Sequence, residues 1–298
     1  MSSSSLLEIK SNDKVWYITG ASKGLGLIFV KKLLAYGFKV VGTSRNKQQL
    51  IDAVGPLATP DNFLAVKVEL DNEESVKQSL TDSLLKFGRI DVVVNNAGYG
   101  ISGALEENTD AEVRKNFDIN VFGVYNVLRN VTPILRAQGH GHVFNVSSIV
   151  SFVGFQGHST YSATKFAIDG LTEAYAQEVR PFGIRATTIN PGFFKSEFAS
   201  NELFQQTNKI DSYKALHDVM EQSVKQVDIT SRGDPAKLLD FIIRVYQTPE
   251  YESTHIFVGG GVYPLVNSKI DKYKQDLAQW EPFATQTDFD DYKSTTNY

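Results

Sequence analysis

The chain carries 13 tyrosines, and only Tyr161 is followed by a lysine four residues later. In 158-HSTYSATKFAIDG-170, Tyr161 and Lys165 stand at i and i+4, so a helix would stack them on one face. A phenol and an ammonium then lie side by side, in a run whose neighbours Ser162, Ala163 and Ala167 are small. A second stretch, 19-TGASKGLG-26, has the composition of a phosphate cradle. Its glycines let the backbone turn sharply and approach a pyrophosphate at the N-terminus of the following helix. The spacing of Gly20, Gly24 and Gly26 departs from the common G-x-G-x-x-G, and alone it would equally suit a tight strand-to-helix turn. A third stretch follows the second strand-like run at Thr43-Ser44-Arg45. An NAD-binding chain usually places an acid about 20 residues past the glycines, on the ribose 2′-hydroxyl. Between Asp13 and Asp52 there is no acid at all, but there are seven basic residues. Arg45 and Lys23 are therefore read as partners of a 2′-phosphate, against a merely solvated basic surface, and the cofactor expected is NADP (NADPH).

Such groups need a scaffold. Strand-like runs occur at 15–19, 39–44, 63–70, 90–96, 142–148, 184–190 and 254–260, rich in β-branched residues and apolar on both faces. Helix-length segments lie at about 24–36, 72–87, 109–137, 159–181 and 233–247. This order predicts an α/β fold, a Rossmann-type doubly wound parallel sheet of about seven strands with helices on both faces. With no repeat or low-complexity linker, residues 1–298 read as a single dinucleotide-binding and catalytic domain. Residues 192–232 read as an insertion before the last helix, and residues 262–298 as a tail with scattered aromatics.

Composition narrows the classes. The net charge of −4 argues against a nucleic-acid partner, which needs a basic face. The absence of cysteine excludes disulfides, thiolate catalysis and Cys-bound zinc. No apolar run of membrane-spanning length occurs, the start MSSSSLLEIK is unlike a signal peptide, and a cytoplasmic location is expected. A membrane-surface binder would also need an amphipathic surface, and none is evident. His140 and His142, set among Gly139 and Gly141, read as solvated turn histidines, with no metal site expected. His158 reads as a loop residue. Gly123 reads as a close-packing position, and Pro133 as a kink or restart of its helix.

In register along the chain stand TGASKGLG, 95-NNAG-98, Asn120 in 120-NVFG-123, Ser148, Tyr161-x-x-x-Lys165 and 190-NPG-192. Over about residues 13–260 the chain thus resembles the short-chain dehydrogenases/reductases, compact branch, and is similar to the 17β-hydroxysteroid dehydrogenase-like reductases. The resemblance implies that Tyr161 is the general acid/base, exchanging a proton with the substrate oxygen while hydride moves on the nicotinamide. A free phenol titrates near pH 10, and the ammonium of Lys165 together with an oxidised nicotinamide would favour the phenolate. Lys165 would also bond the nicotinamide ribose, Ser148 would hold the substrate oxygen, and Asn120 would anchor a proton-relaying water. Cofactor contacts are implied for Gly20, Ser22, Lys23, Gly24, Leu25, Gly26, Ser44, Arg45, Glu69, Leu70, Asn95, Asn96, Ala97, Gly98, Tyr161, Lys165, Pro191, Gly192, Phe194 and Ser196. Glu69 stands where the family usually has Asp, and Ser196 where it usually has Thr. A homodimer or homotetramer built on the 109–137 and 159–181 helices is also implied.

The expected activity is NADP-dependent interconversion of a carbonyl and a secondary alcohol. A catalytically silent NADP-binding sensor or scaffold on the same fold is the rival, though such chains typically lose the tyrosine or lysine. Phe152, Phe155, Phe193, Phe194, Phe198 and Phe204 suggest a lipophilic ketone or aldehyde as substrate, with 192–232 as a lid.

Overall fold

A computed structural model describes residues 13–194, 208–230, 233–250 and 252–289, with the side chains of 224–230 left aside. Seven strands make one parallel sheet: β1 (Val15–Ile18), β2 (Lys39–Ser44), β3 (Phe63–Lys67), β4 (Val92–Asn95), β5 (Gly141–Val146), β6 (Ile184–Pro191) and β7 (His255–Val258). Their order is β3-β2-β1-β4-β5-β6-β7, paired parallel throughout. The order reverses between β1 and β4, which opens a crevice at the carboxyl ends of the strands, where ligands of such sheets bind.

The helices among the described residues are α1 (Gly24–Ala35), α2 (Lys47–Val54), α3 (Glu73–Phe87), α4 (Asp110–Phe117), α5 (Gly123–Gln138), α6 (Ser159–Val179), α7 (Lys214–Thr230), α8 (Pro235–Gln247) and α9 (Tyr263–Ala284). Strands apolar on both faces are covered on both faces. In β1, Trp16 and Ile18 join a core with Phe29, Leu33, Leu239 and Ile242, from α1 and α8. Val15 and Tyr17 point the other way, to Val76, Val127, Leu135 and Ile168 of α3, α5 and α6. Alternation along one strand thus feeds two layers.

Several expectations change. His142 is buried in β5 and shares a hydrogen bond of 2.9 Å with Thr187; burial holds its imidazole well below the usual histidine range. Gly141 starts the strand, whereas Gly139 caps α5 and His140 stays exposed in the turn between them. α5 runs through Pro133 without a break, because Val127, Val131 and Leu135 bury that face across the missing hydrogen bond. The last helix is α9, not the segment at 233–247, so the tail is ordered to residue 284. It also supplies an amphipathic surface that the composition did not suggest. α2 and α7 were not foreseen either. Gly123 does serve close packing, since a Cβ there would come within 3.0 Å of the Leu70 Cβ.

Candidate active site

β1 runs through Thr19 into the glycine loop, and α1 begins within it at Gly24. Gly20 has φ +66°, and a Cβ on it would lie 2.8 Å from the Ala97 Cα. A Cβ on Gly26 would sit 2.3 Å from the Gly20 carbonyl oxygen. Only hydrogen fits at either place. The loop is pinned from β4: Asn96 Nδ2 donates to the Thr19 and Gly20 carbonyls at 3.0 and 3.2 Å. The Asn96 and Ala97 backbone amides donate to Thr19 Oγ1, each at 3.0 Å. Gly24, at φ +55°, has open space where its Cβ would be. The N-cap Lys23 makes no side-chain cap bond, and the first turn of α1 holds no acid. An uncapped helix N-terminus behind a loop this tightly fixed fits a pyrophosphate.

At the end of β2, Ser44 is buried and its Oγ accepts from the Asn46 amide at 3.2 Å. Arg45 is exposed, and its charge adds to that of Lys115 in holding the Asp71 carboxyl low; the Lys115 hydrogen bond is the larger cause. Glu69 is exposed beyond β3, 3.5 Å from Lys67. Leu70 packs beneath Gly123, while its carbonyl accepts from Asn126 Nδ2 at 2.8 Å.

The chemical end lies where β4 and β5 finish. Between α4 and α5 the helix widens to a π-turn over Asp118–Phe122, a local insertion that aims Asn120 inward. Asn120 Oδ1 accepts from the Tyr99 amide at 3.0 Å, and its Nδ2 donates to the Tyr99 carbonyl at 2.8 Å and to Thr164 Oγ1 at 3.1 Å. Asn120 therefore locks the loop after β4 onto α6. A Cβ on Gly98 would stand 3.0 Å from Asn120 Oδ1 and 3.7 Å from Lys165 Nζ.

Tyr161 and Lys165, in the first two turns of α6, are both buried. Ser148 opens a short 3-10 turn after β5, Ile149–Ser151, and its hydroxyl hydrogen-bonds the Tyr161 phenol. Lys165 Nζ lies 5.7 Å from the centre of the tyrosine ring and donates to the Val146 carbonyl at 2.8 Å. Burial pushes the Tyr161 phenol up, and Ser148 opposes this. Burial pulls the Lys165 ammonium down to about 8, and the charge of Asp169 opposes that. In the protein alone, desolvation is the larger cause at both groups. The phenol thus keeps its proton.

Asp169 completes a Tyr161, Lys165, Asp169 ladder at i, i+4 and i+8, a spacing visible in the sequence but not read there. Its Oδ2 accepts from Ser151 Oγ at 2.7 Å and from Asn190 Nδ2 at 2.8 Å. Asn190 Nδ2 also reaches Ser151 Oγ at 2.6 Å, and Ser151 Oγ lies 2.6 Å from the Ser148 carbonyl. This carboxylate fixes the backbone that carries Ser148. A second unforeseen acid is buried Glu107, which accepts from the Ala104 amide, the Ile210 amide and His217 Nε2, each at 2.8 Å. It ties α7 to the segment before α4.

Pro191 ends β6. The Gly192 amide donates to the Val258 carbonyl at 3.0 Å, and a Cβ on Gly192 would lie 2.3 Å from Val262 Cγ1. The Phe194 ring covers Gly233 and approaches Gly259, so its side chain packs on the scaffold rather than into the crevice. Ser196, Phe198 and Phe204 lie outside the described residues. Phe152 and Phe155 pack on a cluster of Ile149, Val150, Tyr161, Val262 and Val266; Phe152 also meets Phe257 and Tyr273 edge-on.

The short chain dehydrogenase family model matches residues 14–207. The chain belongs to that family. Its members couple a nicotinamide cofactor to interconversion of CH–OH and C=O groups in small molecules. An oxidoreductase of Botryotinia fuckeliana is 33% identical over 232 residues, covering 78% of this chain and 84% of its own length. A 3-ketodihydrosphingosine reductase of Bacteroides thetaiotaomicron is 37% identical over 224 residues, 74% of this chain and 79% of that one. A short-chain dehydrogenase structure from Streptomyces avermitilis superposes with a TM-score of 0.83 at 34% identity, over 92% of this chain and all of that one. A 3-ketoacyl-(acyl-carrier-protein) reductase from Brucella melitensis, solved with NADH, superposes with a TM-score of 0.69 at 26% identity, over 84% of this chain and 98% of that one. No described helix of this short-chain dehydrogenase is long and apolar enough to cross a membrane.

Proposed function

We propose that this chain is an NADP-dependent oxidoreductase that interconverts a lipophilic ketone or aldehyde and its alcohol. The observation that carries the reading is the buried Ser148–Tyr161 hydrogen bond, backed by Lys165, beside a glycine cradle with an uncapped helix end. NADP supplies or accepts the hydride when bound. Ser148 donates to the substrate oxygen, and Tyr161 passes its proton to that oxygen as negative charge develops there. Lys165 orients the ribose and stabilises the phenolate left behind. Asn120 holds the loop that closes this end of the site and anchors a proton-relaying water.

Preference for NADP rests on exposed Arg45 and on Lys23, with no acid at the end of β2 to bond a ribose hydroxyl or repel a 2′-phosphate. The lipophilic substrate is supported by the apolar wall of Ile149, Val150, Phe152 and Phe155 around Tyr161. The name of the Bacteroides relative, a 3-ketodihydrosphingosine reductase, points the same way. We read 192–232 as the substrate lid, with α7 held at its base by Glu107 and with Met220 packed against Gly157 just ahead of α6. The whole chain acts as one domain, and it assembles as a homodimer or homotetramer through α5 and α6, whose Tyr125 and Phe166 are exposed, as is Phe122 in the π-turn before α5. The cytoplasm suits such an enzyme. The test is consumption of NADPH and of NADH against a panel of ketones and aldehydes graded in chain length. Turnover rising with apolar length, with NADPH, supports the reading; no turnover with any carbonyl leaves only a binding protein.

A further inference from the structure

α9 begins inside the molecule and ends outside it. Val262 and Val266 are buried in the cluster that holds Tyr161, yet farther along the same helix Leu277 is 68% exposed, Trp280 59% and Phe283 64%. Val266, Ile270, Tyr273, Leu277, Trp280 and Ala284 recur at alternating steps of four and three residues. That 3.5-residue period is a coiled-coil seam, and at six positions it runs unbroken from the buried end to the bare one.

We propose that the bare half of α9 pairs antiparallel with α9 of a second copy of this chain. The width of the stripe and the charge of its flanks decide the occupant. A helix lying on a lipid surface shows a broad apolar face and a basic polar face. Here the stripe is one seam wide except for Phe283 beside its bare end, and Lys269, Lys272 and Lys274 are balanced by Asp271, Asp276 and Glu281. The flanks also choose the direction. In a parallel pair, Lys269 would face the partner's Lys274, and Asp276 the partner's Glu281, so both flanking contacts repel. In an antiparallel pair centred between Leu277 and Trp280, Leu277 meets the partner's Trp280, and Tyr273 meets the partner's Ala284. Lys274 then lies beside the partner's Glu281, and the contact repeats by symmetry. Lys274 and Glu281 are both on the exposed side of the helix. The pairing is self-complementary, closed, and distinct from the α5 and α6 faces. It brings the end of the partner's helix level with Tyr273, whose ring packs on Phe152 in the wall around Tyr161.

The test uses the full chain and its lack of native cysteine. Lys274→Cys protein mixed with Glu281→Cys protein should cross-link under mild oxidation, while neither alone does so appreciably. Sedimentation should show that Leu277→Asp halves the native mass with activity retained. Glu281→Lys should weaken that association by about tenfold, and Lys274→Glu in the same chain should restore it. Unchanged mass in Leu277→Asp, or no cross-link in the mixture, overturns the proposal. So does binding to neutral vesicles that Leu277→Asp abolishes at constant mass, which would mark α9 as a lipid-docking helix.

Discussion

α6 and α9 are the two longest helices described, 21 and 22 residues, and both start at the same apolar cluster. They use that start in opposite ways. α6 turns its functional groups inward, where Tyr161, Thr164, Lys165 and Thr172 are buried and held. α9 buries only its first turns and carries its aromatics outward. A lysine inside α6 acquires an altered proton affinity because water is excluded around it. Lys272 and Lys274 of α9 pair with acids three or four residues away, at little energetic consequence. On the proposed reading, chemistry is made on the helix the core surrounds, and surface recognition on the helix it releases.

The largest effect should follow from removing one atom of α6. Tyr161→Phe deletes the proton donor and leaves the ring in place, so turnover should fall at least about 100-fold while cofactor affinity holds. Steady-state kinetics alongside a cofactor titration check this. Turnover within a few-fold of wild type would mean that the buried ladder is structural only.

Next in size is cofactor choice, which concerns a rim residue and not a buried one. A charge-assisted pair from Arg45 to a 2′-phosphate in a partly open groove contributes about 1.5–3 kcal/mol. NADPH should therefore exceed NADH in kcat/KM by at least about tenfold, with the margin shrinking as salt rises. Ser44→Asp with Arg45→Ala should reverse the order. A ratio near one that the substitutions do not move would place Arg45 in bulk solvent and void the NADP reading.

The same contrast explains what the sequence revealed. The seven strands and the helices α1, α3, α5, α6 and α8 were legible, since each buries a face and therefore shows periodic apolar residues. Gly20 and Gly26 were legible because only glycine satisfies their contacts. Asp169, Glu107 and His142 were not, because one polar residue buried by tertiary packing looks like any surface residue in a string. His142 lay among glycines that suggested a turn, and its burial in β5 with a bond to Thr187 of β6 shows otherwise. α9 was hidden for another reason: its seam repeats every 3.5 residues without a core to satisfy, and it read as scattered aromatics.

Lys165 gives an effect on stability with a definite sign. Its folded value, about 8, lies below the 10.5 of a free lysine. Between those values the unfolded chain holds the proton and the folded chain does not, so wild-type stability rises with pH across about 8 to 10.5. Lys165→Met removes this dependence. In cofactor-free melts, a variant advantage on the order of 3 kcal/mol at pH 7 should narrow by pH 10. A constant gap would show that Lys165 is not desolvated in solution.

The smallest effect tests α9 against itself. Val266 is seated among Ile149, Val150 and Tyr161, so Val266→Ala removes two packed methyls and leaves a gap the cluster fills only in part. A loss of about 1–2 kcal/mol is expected, at any protein concentration. Trp280 touches Phe283 edge-on but faces water, so in a single chain Trp280→Ala should change stability by no more than about 0.5 kcal/mol. Its cost should appear only as concentration rises and chains pair, because a partner that binds only the folded form adds to apparent stability by mass action. Denaturant titrations of both variants, run dilute and a hundredfold more concentrated, separate the two ends of the helix. Equal, concentration-independent losses would mean that α9 is buried along its whole length within one chain.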